Sequence, residues 1–397
     1  MKKVALWLLA AAAFLLTACG KDEPQPLPPG PEVPDVFQLE NAVVRSYLDF
    51  LEQLPYKDSD YSYSYIDDYY LLTTTYRKDR PLPARVSWQR GSGTQRLYIA
   101  DNPEFTETLS YPVGALTESC EIYNLIPGRQ YWWKVVSSAS SNVVGEGTFR
   151  TEGRRRFLSI DNICNVRDLG GIPTADGSRR IKFGLLFRGG EMNGYHQDYE
   201  GRYTRLGESG KSEMLRLGIR ADLDMRTASE ALGITESPLG PEIDYIRFET
   251  ANNYYYDKFW LADDYIRALQ WTIDELRKGK PVFFHCIYGA DRTGTMAFLM
   301  EALLGVNENH LAIDYELTSF SYGLESAPRR RGPRNELSVY RYRQMVEGLR
   351  SSVFEGSTLQ QRVYNFFLNG YPYAPKKTVS ISADDLDWFI STMLEEV

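Results

Sequence analysis

Apolar positions change their spacing several times along this 397-residue chain, and each change predicts a different kind of structure. After Lys2 and Lys3 the run Val4 to Leu16 is continuously apolar, too short to cross a bilayer comfortably, and ends in the small residues before Cys19. That is the form of a secretory signal. Residues 24–36 hold Pro24, Pro26, Pro28, Pro29, Pro31 and Pro34, which predict an extended spacer with no packed core. From Val36 to Leu54, Phe37, Val43, Val44, Tyr47, Leu48 and Leu51 recur at helical spacing and predict a short amphipathic helix. Tyr61, Tyr63 and Tyr65 alternate with serines and predict a strand, with Tyr69 and Tyr70 close behind. Between about Leu82 and Thr151 the runs are short and β-rich, with strands predicted at Arg85–Trp88, Arg96–Ala100, Tyr131–Val135 and Gly147–Thr151. From Phe157 onward the pattern becomes mixed. Strands at Gly184–Phe187, Arg220–Asp224, Ile243–Arg247 and Val282–Phe284 alternate with helices at Lys211–Leu217 and Tyr265–Lys278, and helical spacing dominates after Leu304. This is an α/β pattern with a central sheet, in which chemistry lies where a strand's carboxyl end meets a helix.

Such a junction follows Val282–Phe284. There the chain reads His285-Cys286-Ile287-Tyr288-Gly289-Ala290-Asp291-Arg292-Thr293-Gly294, and the apolar run Met296 to Leu304 then predicts a helix. A strand, a tight loop and a helix N-terminus form an anion cradle, because loop N–H groups turn inward and the helix dipole adds partial positive charge. Arg292 can grip two oxygens of a phosphate at once. A thiol in that field, Cys286, is favoured as the thiolate, which is the nucleophilic form. An inert core cysteine is the ordinary reading of a lone Cys. It leaves His285, Gly289, Arg292, Thr293 and Gly294 unaccounted for.

These ten residues resemble the phosphate-binding signature of the cysteine-dependent protein tyrosine phosphatases. The Asp-Arg-Thr-Gly ending is similar to their atypical bacterial branch of tyrosine and dual-specificity enzymes, some of which also accept phosphoinositides. Further matching segments stand in the same order: Asn165-Val166-Arg167-Asp168-Leu169-Gly170-Gly171, Leu186-Phe187-Arg188, Leu217-Gly218-Ile219 through Asp224-Met225-Arg226 with Glu230, and Asp314-Tyr315-Glu316-Leu317. The resemblance covers residues 155–397. It implies an α/β cysteine-phosphatase fold, a central sheet flanked by helices, and hydrolysis of phosphotyrosine, with phosphoserine and phosphothreonine as further candidates, through a phosphocysteine. No cofactor is implied. In that reading Cys286 attacks phosphorus, while Arg292 and the loop residues Ile287, Tyr288, Gly289, Ala290 and Thr293 hold the oxygens. Arg167, Asp168 and Arg188 shape or buttress the pocket, and His285 fixes the loop. Asp291 is the favoured general acid, with Asp257 and Asp224 as alternatives, and Tyr254 to Tyr256 could stack on an aromatic substrate. Ala290 stands where relatives that act on phosphoinositides often carry a lysine, which lowers the expectation of inositol phosphate turnover. Arg329-Arg330-Arg331 and Arg334 form a basic run whose plainer reading is a solvated turn.

At the other end, the cut before Cys19 resembles the lipobox of bacterial lipoproteins, which implies an acylated Cys19 and a membrane anchor. Gly20-Lys21-Asp22-Glu23 looks like an acidic export tag, so the expected place is the bacterial outer membrane, periplasmic or surface-exposed. Leu125 to Tyr131 resembles the tyrosine corner of fibronectin type III domains, with Trp88 on an early strand, and implies an N-terminal all-β sandwich of unknown partner. The expected division is a signal at 1–18, a linker at 19–36, a sandwich at 37–152 and a catalytic unit at 153–397. Arg154-Arg155-Arg156 at the boundary reads as a solvated turn. The net charge of −8 argues against nucleic acid as a partner. With Cys19 lipidated, Cys120, Cys164 and Cys286 remain, an odd set. Cys164 could approach the loop and form a protective disulfide with Cys286, although a buried thiol is the plainer expectation. The histidines His196, His285 and His310 lack zinc spacing, so no metal is expected. Two other readings stay open: a surface lipoprotein that binds phospho-ligands without turnover, and a rhodanese-like sulfur carrier.

Overall fold

Alternation of buried and exposed positions builds the N-terminal unit. The computed structural model describes residues 33–52, 80–197, 203–249, 258–261, 263–320, 335–351, 353–371 and 379–397. The signal run, Cys19, the prolines before Val33, the Tyr61–Tyr70 segment, Tyr254 to Asp257 and Arg329 to Arg334 lie outside the described residues. Strand β1 (Val36–Gln38) leads into helix α1 (Ala42–Glu52), and β2 (Ala84–Ser87), β3 (Gln95–Ala100), β4 (Leu109–Val113), β5 (Ser119–Ile122), β6 (Gln130–Ser137) and β7 (Val143–Glu152) follow. They form a five-stranded sheet in the order β1-β7-β6-β3-β4 and a β2-β5 ladder. Tyr131, Trp133 and Val135 alternate along β6 and share one core with Leu97, Ile99 and Phe149, and with Ala84, Val86 and Ile122 from the ladder. The Tyr131 hydroxyl accepts the Ile126 amide at 3.0 Å, closing the turn into β6.

The predicted helix at Val36–Leu54 begins late. Val36 to Gln38 pair in parallel with β7, and the Asn41 side chain then accepts the amides of Val43 and Val44, each at 3.0 Å, to start α1. The buried stripe of α1, Val44, Tyr47 and Leu48, packs on Phe157, Ile313, Leu317 and Phe320. So a helix assigned by its position to the N-terminal unit lies against the other one.

The second unit runs through β8 (Arg167–Asp168), β9 (Arg179–Ile181), β10 (Leu186–Gly189), β11 (Asn193–Gln197), β12 (Tyr203–Arg205), α2 (Glu208–Arg216), β13 (Ala221–Asp224) and β14 (Asp244–Arg247). After these come α3 (Asp264–Arg277), β15 (Val282–His285), α4 (Asp291–Leu303), α5 (Glu308–Leu317), α6 (Asn335–Ser351), α7 (Leu359–Asn369), α8 (Ala383–Met393) and β16 (Leu394–Glu396). The central sheet has the order β14-β13-β15-β10-β8, parallel except for the edge strand β8. β10, β13 and β15 are buried at every position, as parallel strands covered on both faces must be. Leu223, Phe284 and Leu186 meet α3, α4, α7 and α8 on one face, and Phe187 and Phe283 meet Met214 of α2 on the other.

The two units interlock through buried polar groups. Asn124, at φ +64°, donates to the Ser159 carbonyl at 3.2 Å, accepts the Ser159 amide at 2.6 Å, and offers its own carbonyl to Arg156 Nη2 at 2.7 Å. Glu40 accepts the amides of Arg154 and Arg155 at 2.7 and 2.8 Å, and the Tyr47 hydroxyl donates to Glu316. Arg155 and Arg156 are therefore buried, contrary to the solvated turn their charges suggested. Arg156 is neutralised by Asp168 at 2.9 Å, and Arg155 donates to His310 at 3.0 Å. A cavity of about 360 Å³ lies at this junction between Leu109, Tyr123 and Tyr131 on one side and Arg156, Glu213 and Arg216 on the other. Among the described residues no helix is long and apolar enough to cross a membrane.

Candidate active site

Strand register sets the position of the loop. Asp224, His285 and Gly189 are aligned across β13, β15 and β10, so Cys286 is the first residue beyond the carboxyl edge of the sheet, and α4 starts five residues later at Asp291. The turn requires glycine at 289. Its φ is +65°, and a Cβ there would lie 2.5 Å from the carbonyl carbon and oxygen of Gly189. The loop carbonyls face away from its centre. His285 Nδ1 lies 3.3 Å from the Cys286 carbonyl oxygen; the Ile287 carbonyl accepts the Glu191 amide at 3.0 Å; the Gly289 carbonyl accepts Arg188 Nη2 at 2.9 Å; and the Ala290 carbonyl accepts the Gly294 amide at 2.7 Å. In a planar trans peptide the following N–H points the opposite way. The N–H groups that follow those carbonyls are thereby turned toward the loop interior, where they form a concave set of donors.

Cys286 is buried at the base of that concavity. Burial pushes its thiol up, but the Arg292 guanidinium, and then the Thr293 hydroxyl and amide, more than offset this and hold it below the ordinary thiol value. Arg292 is itself oriented. Its Nη1 and Nη2 reach the two carboxylate oxygens of Glu230 at 2.6 and 3.1 Å, and Nη1 also donates to the Met225 carbonyl at 3.2 Å. Among the described residues no hydrogen bond falls on the guanidinium edge formed by Nε and the outer Nη2 hydrogen, which leaves it for a second, two-oxygen partner. Burial pushes the Glu230 carboxyl up, yet Arg292 and the Thr227 amide hold it below its ordinary value, so Glu230 stays anionic as the anchor. Glu230→Gln keeps the size but removes the charge that orients Arg292. It is expected to raise KM for an aryl phosphate about tenfold with a smaller fall in kcat, as read by steady-state kinetics.

Behind the loop lies a layer of buried charge. Arg167 Nε and Nη2 donate to the Asp314 side chain at 2.8 Å and backbone carbonyl at 2.7 Å, and Arg188 pairs with the same carboxylate. Asp168 accepts Arg156 and the amides of Gly170 and Gly184, each at 2.8–2.9 Å. Arg188 reaches the loop at the Gly289 carbonyl and Arg167 reaches it through Asn165, whereas Asp168 holds Arg156 and the turn amides of Gly170 and Gly184. His285 lies with Nε2 3.1 Å from Asp222, its ring stacked on Phe283. Burial lowers its basicity, but Asp224 and Asp222 outweigh this and raise it. Asp224 is bound by Arg226 Nε and Nη2 at 2.9 and 2.7 Å and accepts the Tyr245 hydroxyl at 3.0 Å, so its oxygens are committed to structure. Asp291 is half-buried in the first turn of α4, while Asp257 lies outside the described residues. Ile287 and Ala290 are buried and Tyr288 is half-buried. Among the described residues Cys120, Cys164 and Cys286 form no disulfide with one another. Among the described residues no group of His, Cys, Asp and Glu is arranged to hold a metal. Glu230 and Asp314 were part of matching segments but carried no expected role, and Asn165 likewise.

Residues 158–357 match the tyrosine phosphatase family, and the chain belongs to that family. It is 28% identical over 183 residues to a candidate tyrosine-protein phosphatase of Cupriavidus necator, a match covering 41% of this chain and 62% of that protein. The chain therefore spans less than two-thirds of this relative's length. Among solved structures it is similar to TpbA of P. aeruginosa, at 12% identity and a TM-score of 0.25 over 43% of this chain and 89% of that one. A complex of TpbA with phosphotyrosine matches at 13% and 0.24 over 35% and 72%. The core catalytic domain of the PP-IP phosphatase SIW14 from S. cerevisiae, in complex with citrate, matches at 15% and 0.24 over 42% and 85%.

Proposed function

We propose that this chain hydrolyses phosphotyrosine in proteins or peptides, with phosphoserine and phosphothreonine as further candidates, through a phosphocysteine on Cys286. The observation that carries the reading is a buried thiol held below its ordinary value beneath an arginine whose second fork is unspent. The thiolate attacks phosphorus in line as the bond to the tyrosyl oxygen breaks. Asp291 protonates that leaving oxygen. Water then attacks the phosphocysteine, its proton passes to Asp291, and the thiolate leaves with Thr293 donating to the sulfur. Charge on the equatorial oxygens is met by Arg292 and by the inward N–H groups. Family membership and the name of the Cupriavidus relative support the same substrate class. Asp291 is preferred as the acid because Asp224 is committed to Arg226 and Tyr245.

The rest of the chain is assigned on sequence grounds. The N-terminal unit is a fibronectin type III-like sandwich, a reading supported by the shared core of its two sheets and the Tyr131 corner. Acylation of Cys19 anchors the protein in a bacterial outer membrane. The test is turnover by the purified chain, under reducing conditions, on phosphotyrosine peptide, phosphoserine peptide, phosphoinositide and phytate. Preference for phosphotyrosine is expected. Preference for an inositol phosphate would overturn the substrate class, and no turnover on any substrate would overturn catalysis in favour of phospho-ligand binding.

A further inference from the structure

Asn165 is almost fully buried and holds a backbone conformation, φ +58°, that few side chains other than Asn and Gly tolerate. Its Nδ2 donates to the carbonyls of Tyr288 at 3.1 Å and Gly289 at 2.8 Å, and its Oδ1 accepts Arg167 Nη1. The second contact falls on the same carbonyl that Arg188 holds at 2.9 Å. Arg167 and Arg188 both end on Asp314, so the Asn165 amide is locked in orientation by the charge layer below it. Asn165 thus draws the Tyr288 carbonyl outward, and no expectation from the sequence gave it a task.

We propose that Asn165 is a positioning residue of the loop, holding the Tyr288 and Gly289 carbonyls outward and so aiming the N–H groups of Gly289 and Ala290 at the bound phosphoryl oxygens. It touches no substrate atom and acts through these two peptide units. The proposal rests on the reading of the loop as a phosphoryl cradle. Without the amide, the Tyr288 unit loses this hold and the Gly289 unit keeps Arg188 as its side-chain donor, and a carbonyl oxygen turned inward opposes both the bound oxyanion and the thiolate. The left-handed backbone keeps strain out of the test. Asn165→Gly keeps that conformation at no steric cost and removes the two donor contacts together with the acceptor for Arg167 Nη1, whereas alanine would add strain.

The experiment uses the full chain and two readouts. One is the pH midpoint of Cys286 alkylation by iodoacetamide, a property of the thiol that does not depend on turnover. The other is inhibition by orthovanadate together with kcat and KM for an aryl phosphate. Asn165→Gly is expected to raise the alkylation midpoint by about one pH unit, weaken vanadate inhibition about tenfold and lower kcat about 100-fold. Asn165→Asp, which sets carboxylate oxygens against the same carbonyls, should raise the midpoint further. An unchanged midpoint with kcat within about threefold of wild type overturns the proposal. So does loss of near-ultraviolet circular dichroism in both variants, which would make Asn165 a folding residue. A wild-type chain that neither turns over phosphate esters nor binds vanadate would count against the phosphatase reading, while the alkylation midpoints would still decide the role of Asn165.

Discussion

Cys286→Ser is expected to lower kcat/KM for an aryl phosphate by at least about four orders of magnitude, with the protein still folded and still binding the ester. The site lowers a thiol by bringing it under Arg292 and Thr293, but a serine hydroxyl starts so much higher that the same surroundings leave it neutral. Neither His285 nor Asp224 is placed to take its proton. His285 faces Asp222 and the Cys286 carbonyl oxygen, and Asp224 is committed to Arg226. Oxygen for sulfur is a small change in a buried position, so the melting temperature should move by only a few degrees. A phosphotyrosine peptide should bind the variant with a Kd close to the wild-type KM, because Arg292 and the loop amides are untouched. The same surroundings fix the sign of the pH dependence. Since the thiol is held below its ordinary value, wild-type kcat/KM should rise with pH on a limb below the ordinary thiol range and fall as acid protonates the sulfur. Alkylation by iodoacetamide should follow that limb. Turnover by Cys286→Ser within tenfold of wild type would place the nucleophile elsewhere.

What the sequence reveals of this site follows from distance along the chain. Cys286, Gly289, Arg292 and Thr293 lie within eight consecutive residues. Their chemistry is local: strand, loop, helix start. The groups that orient them are not local. Glu230 is 62 residues from Arg292, and Asp314 is 147 from Arg167. A pairing at such separation leaves no periodicity to read. Arg167 and Arg188 are expected to shape or buttress the pocket, but residue type alone does not name their partner. Both are buried against one aspartate, Asp314. The fold divides the same way. Long runs with clear period, such as β15 and α3, are found within a residue or two of their predicted places. Strands of two or three residues, β8, β9 and β16, are held by their partners and have no pattern of their own. Helix α1 has the right period, but period cannot say which neighbour the stripe will meet. Its partner, α5, lies more than 250 residues later.

Asp314→Ala is expected to cost about 3–5 kcal/mol of stability, because it strands two buried cations at once. Arg167 and Arg188 are fully buried, and both end on this carboxylate. Burial, with repulsion from Arg167, already holds the Arg188 guanidinium down at about 10. One group can soften the loss. Glu301 on α4 is buried with neither oxygen hydrogen-bonded, and burial together with the Asp314 charge pushes its carboxyl well above the usual range. With Asp314 gone, Glu301 can ionise and return part of the lost charge. The net effect should be a fall in melting temperature on the order of 10 °C, followed by circular dichroism. Its pH dependence distinguishes lost charge from lost packing. Burial pushes Asp314 up, but Arg167 and Arg188 more than offset it and hold the carboxyl below its ordinary value. That stabilisation is present above the ordinary carboxylate range and is lost as pH falls through the folded-state value. The gap between wild type and variant should therefore narrow as the pH drops below about 4. Activity should fall as well, since the Gly289 carbonyl depends on Arg188. A melting temperature within about 2 °C of wild type at neutral pH would mean that the two arginines are neutralised by other means, and that Asp314 is not what holds the layer beneath the loop together.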